Sequence, residues 1–233
     1  MTKRLTTFLF LFLITSISYA QKKGKNKSKD DKTASTDYQQ PEAVADTLTK
    51  FTGIIKYYIT NDDPSQRDSM FVIVGDHKMR FTMFYPGYKE SDIFQDNMIA
   101  NFQDSSFLVL DNRKMTYKTE KLGARNKGTA INLSNFRKMG KILSITCPEY
   151  SGEMVMKDGE TFQASALISK QHSYIAVADY NFMNIQPVVL GYKLVLGYHT
   201  KSSDNENTYI IAYKIEPGNT DSWFDLTGFK ALQ

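Results

Sequence analysis

The sequence predicts a mainly β fold, a curved antiparallel sheet or barrel, formed as a single domain by residues 48–233. Short apolar or alternating runs recur about every ten residues between turn residues, which is typical of antiparallel β domains. Patterns with the 3.6-residue period of a helix are scarce. A hydrophobic content of 41% is ordinary for a globular protein, and the single cysteine excludes a disulfide framework within the chain.

The predicted strands are rich in Ile, Val, Phe, Tyr and Met, which suit a half-buried pleated surface. Turn residues separate them, as Asn61-Asp62-Asp63-Pro64 does after the first strand and Pro86-Gly87 after the third. In chain order they are Phe51–Thr60, Ser69–Val74, Lys78–Tyr85, Phe107–Leu110, Lys114–Thr119, Glu153–Lys157, Thr161–Ser169, Leu190–Thr200 and Thr208–Glu216.

One turn and two longer stretches complete the predicted domain. Asp158-Gly159 tolerates positive φ and predicts a tight hairpin between the strands on either side of it. Tyr88–Phe102 and Ser173–Ile185 lack a clear two-residue period, so we expect helices or irregular structure there.

Residues 1–20 have the pattern of a secretory signal peptide. Lys3 and Arg4 precede an apolar run, and Ser18-Tyr19-Ala20 places small residues at the positions that signal peptidase requires. The apolar run, Leu5–Ile17, is shorter than the roughly 20 residues of a membrane span. We therefore expect cleavage after Ala20, no transmembrane anchor in the mature chain, and a periplasmic or extracellular location.

Residues 21–47 are predicted to form a disordered, lysine-rich neck, because they contain too few apolar residues to offset the entropy of ordering. The neck is either a solubilising spacer or an attachment to an anionic surface. The domain that follows carries 21 basic and 20 acidic residues from Leu48 onward. This near-neutral balance lacks the basic face that nucleic-acid binding needs, so no nucleic-acid partner is expected.

Candidate ligand-binding residues come from two-residue alternation, which places every second side chain on one face of a strand. Such a methionine-rich and aromatic face predicts either a core packed under a helix or a concave site for an acyl chain or another hydrophobic ligand. The residues predicted to share the face are Met79, Phe81 and Met83, then Met115 and Tyr117, and finally Met154 and Met156.

A family resemblance rests on the segment Lys141–Tyr150, followed by Asp158-Gly159 and a further strand. It resembles a motif of uncharacterised exported bacterial proteins of the LolA-like (outer-membrane lipoprotein carrier-like) superfamily. Ile142, Cys147 and Tyr150 match that motif, whereas Ser144 and Ile145 stand where Gly and Tyr occur in the family. The resemblance implies a half-open barrel with a few covering helices, whose concave side holds acyl chains in the better-known relatives.

No catalytic signature is present. Cys147 is expected to be a buried structural thiol, because free cysteines are mostly buried and no histidine stands near it in sequence. His77, His172 and His199 lack the spacing of metal ligands, so neither a metal nor a cofactor is expected. A hydrolase with a site invisible in sequence is a third, weaker alternative.

The sequence thus predicts an exported, non-enzymatic binding protein of the cell envelope that holds a lipid or other hydrophobic ligand in its concave face. The alternative is a module that binds another envelope protein through an outer face or a sheet edge. Aromatic residues would serve as its anchors, because aromatic side chains dominate interface energetics. The anchors named from sequence are Tyr57, Tyr58, Tyr88 and Trp223.

Overall fold

The computed structural model describes residues 49–63, 65, 67–84, 97–122, 132–155, 161–174, 183, 185 and 192–232. The predicted signal peptide and neck, Tyr88 and Met156 lie outside these residues. The described chain is mainly β, as predicted. Its strands are β1 Thr49–Lys50, β2 Gly53–Thr60, β3 Arg67–Val74, β4 Lys78–Phe84, β5 Asn97–Asn101, β6 Ser106–Asp111, β7 Thr116–Lys121, β8 Asn132–Ile142, β9 Ile145–Val155, β10 Thr161–Ser173, β11 Lys193–Lys201, β12 Asn207–Pro217 and β13 Lys230–Ala231.

The strands form one curved, unclosed sheet in the order β13-β7-β6-β5-β4-β3-β2-β12-β11-β10-β9-β8. Pairing along it is antiparallel, except that β13 runs parallel to β7, and β1 pairs with β10 in parallel off the main path. This confirms the predicted curved antiparallel sheet. In the part of the chain that the structure describes, no helix has both the length and the apolar character needed to cross a membrane.

Part of one predicted irregular stretch is a strand. Asn97–Ala100 belong to β5 and are all buried, so both faces of this strand are covered and the sequence shows no alternation. The expectation of helical or irregular structure over Tyr88–Phe102 is therefore wrong for Asn97–Asn101, and the residues before Asn97 lie outside the described part. A 3-10 helix, Asp221–Phe224, lies near the C-terminus.

The inner face of the sheet carries the hydrophobic core. On β2 the burial alternates, with Ile55, Tyr57 and Ile59 inward and Tyr58 outward. Strand register continues this inner face, since Tyr57 pairs with Met70, and Met70 pairs with Met83. The core extends through β10, β11 and β12, where Ala166, Leu196 and Ile210 are also buried. Because every second side chain of these strands faces inward, residues of β2–β4 and of β10–β12 share one hydrophobic core.

The outer face of the sheet is buried as well along β3, β5 and β6. Phe71, Ile73, Ile99 and Leu110 lie on it and are buried. Residues 218–232, which we call the C-terminal cover, pack across this face. We refer to β2–β7 as the covered half of the sheet and to β8–β12 as the open half.

Specific contacts hold the C-terminal cover in place. Arg80 Nη1 donates a hydrogen bond to the carbonyl of Trp223, and Thr220 Oγ1 donates to the carbonyl of Val74 at 3.2 Å. The Phe224 ring lies 2.6 Å from the position that a Cβ on Gly75 would occupy, so a side chain at Gly75 would collide with the ring. Trp223, expected as an exposed anchor, is instead half-buried within this cover.

Candidate functional site

Two of the methionines predicted to line a concave site, Met79 and Met83, are part of the core. Met79 has 0% exposure, Met83 is buried and Phe81 is half-buried, and the register places all three on the inner face. Met154 pairs with the buried Phe162, which also belongs to the core. Binding of an apolar ligand at these residues stays a prediction.

Two of the predicted residues do not share the inner face. Tyr117 pairs with Leu110, which lies on the outer face of the covered half. Met115 is exposed in the β6–β7 turn, where its φ of 51° takes it out of the strand. The prediction that Met115 and Tyr117 join the Met79 face is therefore wrong, because the β6–β7 register sets Tyr117 on the outer face and the turn takes Met115 out of the strand.

The thiol of Cys147 is buried, as expected from the sequence. Its Sγ donates a hydrogen bond to the carbonyl of Ile145 at 3.4 Å, and burial raises the pKa of the thiol. A raised pKa disfavours the thiolate that nucleophilic or metal-binding cysteines need. Among the described residues, no group of three His, Cys, Asp or Glu side chains could hold a metal ion.

An aromatic stack lies on the outer face where the covered half meets the open half. The rings of Tyr58 and Tyr213 are 3.9 Å apart at 15°, and the Arg67 guanidinium carbon lies 5.4 Å from the centre of the Tyr58 ring. The β2–β12 register places the exposed Ile211 directly opposite Tyr58. We call Arg67, Tyr58, Tyr213 and Ile211 the aromatic tract.

A hydrogen-bonded network borders the aromatic tract. The His199 and Tyr209 rings stack at 4.6 Å, and His199 Nε2 lies 2.9 Å from Asn207 Oδ1. Asn207 Nδ2 donates to Asp62 Oδ1 at 2.9 Å, which leaves Asn207 Oδ1 to accept from His199. These hydrogen bonds orient the imidazole of His199 and, through the stack, the ring of Tyr209.

A bulge explains why Tyr213 reaches the stack. The β2–β12 register shifts between Ala212 and Lys214, so Tyr213 is the extra residue and its ring turns onto Tyr58. The sequence shows Tyr58 and Tyr213 in separate strands, and nothing in the alternation reveals the shift. Tyr57, the neighbour also named as an anchor, is fully buried, and its hydroxyl donates to the carbonyl of Val195 at 2.7 Å.

Comparisons with known proteins do not establish a family. No protein-family model matches the chain, and no curated protein matches it. The solved structure of PNGF-II in the P21 space group is similar, with a TM-score of 0.45 and 13% sequence identity. The match covers 78% of this chain and 31% of that one, so this chain spans about a third of the length of PNGF-II. A likeness at this TM-score carries no conclusion about this protein.

Proposed function

We propose that this chain is an exported, non-enzymatic binding module of the cell envelope that recognises a partner protein through its aromatic tract. Export follows from the signal-peptide pattern of residues 1–20, and a LolA-like relationship is proposed with it. The observation that carries the proposal is the stacked Arg67–Tyr58–Tyr213 group beside Ile211, on a face that the C-terminal cover leaves accessible in the described chain.

The chemistry of the tract is that of a protein interface. Tyr and Arg are enriched among the residues that contribute most to binding, and such residues cluster near the centre of an interface. Stacking holds Tyr58 in one position before a partner arrives, which reduces the rotamer entropy lost on binding. The Asp62–Asn207–His199 network supplies an ordered polar rim. These features support recognition of a protein more than storage of a ligand in the sheet.

Site-specific photo-crosslinking tests the proposal. We would place p-benzoylphenylalanine at Ile211 in the full-length chain, expressed in its own host, and at Lys118, which is exposed on β7, as a matched control. The expected result is a discrete adduct with a different protein at position 211 and none at 118. Tyr58→Ala should decrease that adduct about tenfold or more, as expected for a hot-spot residue, whereas Tyr58→Phe should retain it.

Three results would contradict the proposal. Adducts of equal amount at both positions would indicate nonspecific contact. An adduct with the mass of two copies of this chain would show self-association. An adduct that persists in Tyr58→Ala would show that the aromatic tract is not the binding surface, provided that the variant melts like the parent chain.

A further inference from the structure

The β8–β9 hairpin exposes three large apolar side chains. In the order of strands, it lies at the edge of the open half opposite to the aromatic tract. Phe136 is 56% exposed, Met139 is 47% exposed and Leu143 is 45% exposed. Single exposed apolar residues are ordinary, but a group of them on one element indicates an interaction surface. We call Phe136, Met139, Leu143 and the basic residues between them the hairpin patch.

A β-bulge places Phe136 and Met139 on one side of the hairpin. These residues are three apart, so a regular strand would point them in opposite directions. The β8–β9 register shifts between Phe136 and Lys138, and the partners Tyr150 and Pro148 are two apart on β9. Phe136, Met139 and Lys141 therefore share a side, and the Phe136 and Tyr150 rings meet edge to face at 5.9 Å.

Phe136 and Met139 continue the inner face of the sheet beyond the core, because Tyr150, the partner of Phe136, pairs with the buried Ala166. The opposite side of the hairpin packs against β10. Gly140 pairs with the buried Cys147, and the Leu167 side chain lies 2.7 Å from the position of a Cβ on Gly140. The hairpin therefore has a packed side that fixes its position. Its other side carries the exposed apolar groups.

The hairpin turn is unusual. Ile142 pairs with Ile145, so Leu143 and Ser144 form a two-residue turn with φ of 50° and 67°. Turns with two positive φ values strongly favour Asn-Gly, because other side chains are strained in that region. An exposed leucine is therefore held at the tip at a conformational cost, which suggests that the side chain itself is used there.

The hairpin is positively charged. Residues 132–148 contain Arg137, Lys138 and Lys141 and no acidic residue. Lys138 lies 3.7 Å from Glu149, whereas no ion pair joins Arg137 or Lys141 to an acid in the described chain. The patch therefore combines cations with apolar groups at the end of an otherwise nearly neutral domain.

The geometry points to docking of the hairpin patch on an anionic lipid bilayer surface. Arg137 and Lys141 would lie among anionic head groups, while Phe136, Met139 and Leu143 would enter the interface between head groups and acyl chains. Cations near an anionic membrane and apolar groups within its interface are the two contributions that hold peripheral proteins there. An acidic protein would match the charges but would not require an apolar leucine at the tip.

Vesicle sedimentation with the expected mature chain, residues 21–233, tests this docking. The probe is vesicles of phosphatidylcholine with 30% phosphatidylglycerol, compared with pure phosphatidylcholine. We expect binding to the anionic vesicles that decreases with added salt. Each cation near such a surface contributes about a fivefold factor, so Arg137→Gln with Lys141→Gln should weaken binding about 25-fold. Phe136→Ser with Met139→Ser should weaken it at least tenfold.

The matched control neutralises two exposed lysines of β7, Lys118→Gln with Lys121→Gln, which changes the net charge by the same amount. It should leave vesicle binding within about twofold, because these lysines lie at the other end of the sheet. The lysines of residues 21–47 are present in every variant, so they cannot account for a difference among them. Equal losses in the control and the hairpin variants, or no binding by the parent chain, would overturn the proposal.

A depth measurement separates insertion from simple charge attraction. In a Cys147→Ser background, an environment-sensitive NBD label is attached to a cysteine introduced by Leu143→Cys or, as a control, by Lys118→Cys. We expect a blue shift and increased emission on anionic vesicles at position 143 and little change at 118. If the label at 143 stays in water while the protein binds, then the hairpin does not insert and the proposal is wrong.

Discussion

The two halves of the sheet use similar residues for different purposes. At the centre of the covered half, in β3–β5, apolar side chains point to both faces and both faces are largely buried, as Met79 inside and Ile73 outside show. In the open half, Ile211 remains exposed on the outer face, and Phe136 and Met139 remain exposed where the inner face reaches the β8–β9 edge. On the outer face, the difference arises because the C-terminal cover crosses only the covered half, pairing with β7 at the far edge. Ile211 therefore remains a surface residue, in contrast to the apolar residues on the outer face of β3, β5 and β6, which the cover buries.

The largest expected effect comes from replacing a methionine in each half. Met79→Ala should lower the free energy of unfolding by about 3 kcal/mol, because it leaves a cavity in a fully buried position. Met139→Ala should change it by less than about 0.5 kcal/mol, because the side chain is exposed. Urea unfolding followed by circular dichroism measures both. Similar losses in the two variants would show that the hairpin patch is part of the core.

A pH-dependent effect of about 2 kcal/mol is expected at Asp68, a buried carboxyl on the inner face of β3. Burial raises its pKa from 3.8 to about 6. Between these values the folded state keeps a proton that the unfolded state has lost, so the free energy of unfolding decreases as pH rises through this window and levels off above about pH 7.

Asp68→Asn should therefore stabilise the protein at pH 7.5 by about 2 kcal/mol and have little effect near pH 4. Asp204→Asn, at an exposed loop position, is the matched control and should leave the pH profile unchanged. Thermal melting across pH 4–8 measures both variants. A profile for Asp68→Asn that still falls between pH 4 and 6 like that of the parent chain would assign the slope to another group.

The C-terminal cover can be tested with two glycines that flank its contact with the sheet. Gly75→Ala should destabilise the protein by about 1–2 kcal/mol, since the new methyl group meets the Phe224 ring. Gly218→Ala should be neutral within about 0.5 kcal/mol, because no atom lies within 4 Å of the added group. Equal unfolding midpoints in urea would mean that the cover does not press on Gly75 in solution.

The smallest expected effect is a gain in stability at the hairpin turn. Leu143→Asn with Ser144→Gly installs the pair that suits two positive φ values, so the protein should gain about 1 kcal/mol. The same change removes the exposed leucine and should weaken binding to anionic vesicles several-fold. A variant that is more stable and binds vesicles equally well would show that Leu143 is not used for docking.

Most strands could be predicted from the sequence because their outer residues are polar or their apolar run is bounded by turn residues. β2, β3, β4, β6 and β10 to β12 lie within a few residues of their predicted positions. β8 could not be found, because its two register shifts interrupt the alternation that identifies a strand. β5 could not be found because both of its faces are largely buried, so its sequence Asn-Met-Ile-Ala-Asn shows no regular alternation.

The candidate surfaces were much less predictable. Of the anchors named from sequence, Tyr58 is exposed on the outer face, Tyr57 is buried beside it, and Trp223 belongs to the C-terminal cover. Neighbouring residues of a strand face opposite sides, so at most one of Tyr57 and Tyr58 could reach the surface. The choice depended on which side of β2 became the core.

By itself, the sequence determined the class of fold and the strands on which the core would lie, because hydrophobic alternation is a local property that survives in any arrangement of the strands. Only the tertiary structure decided which apolar faces are covered, because the C-terminal cover meets the outer face from residues more than 140 positions away in sequence. Bulges likewise decided which aromatic and basic side chains share a surface, since each depends on the pairing of two strands.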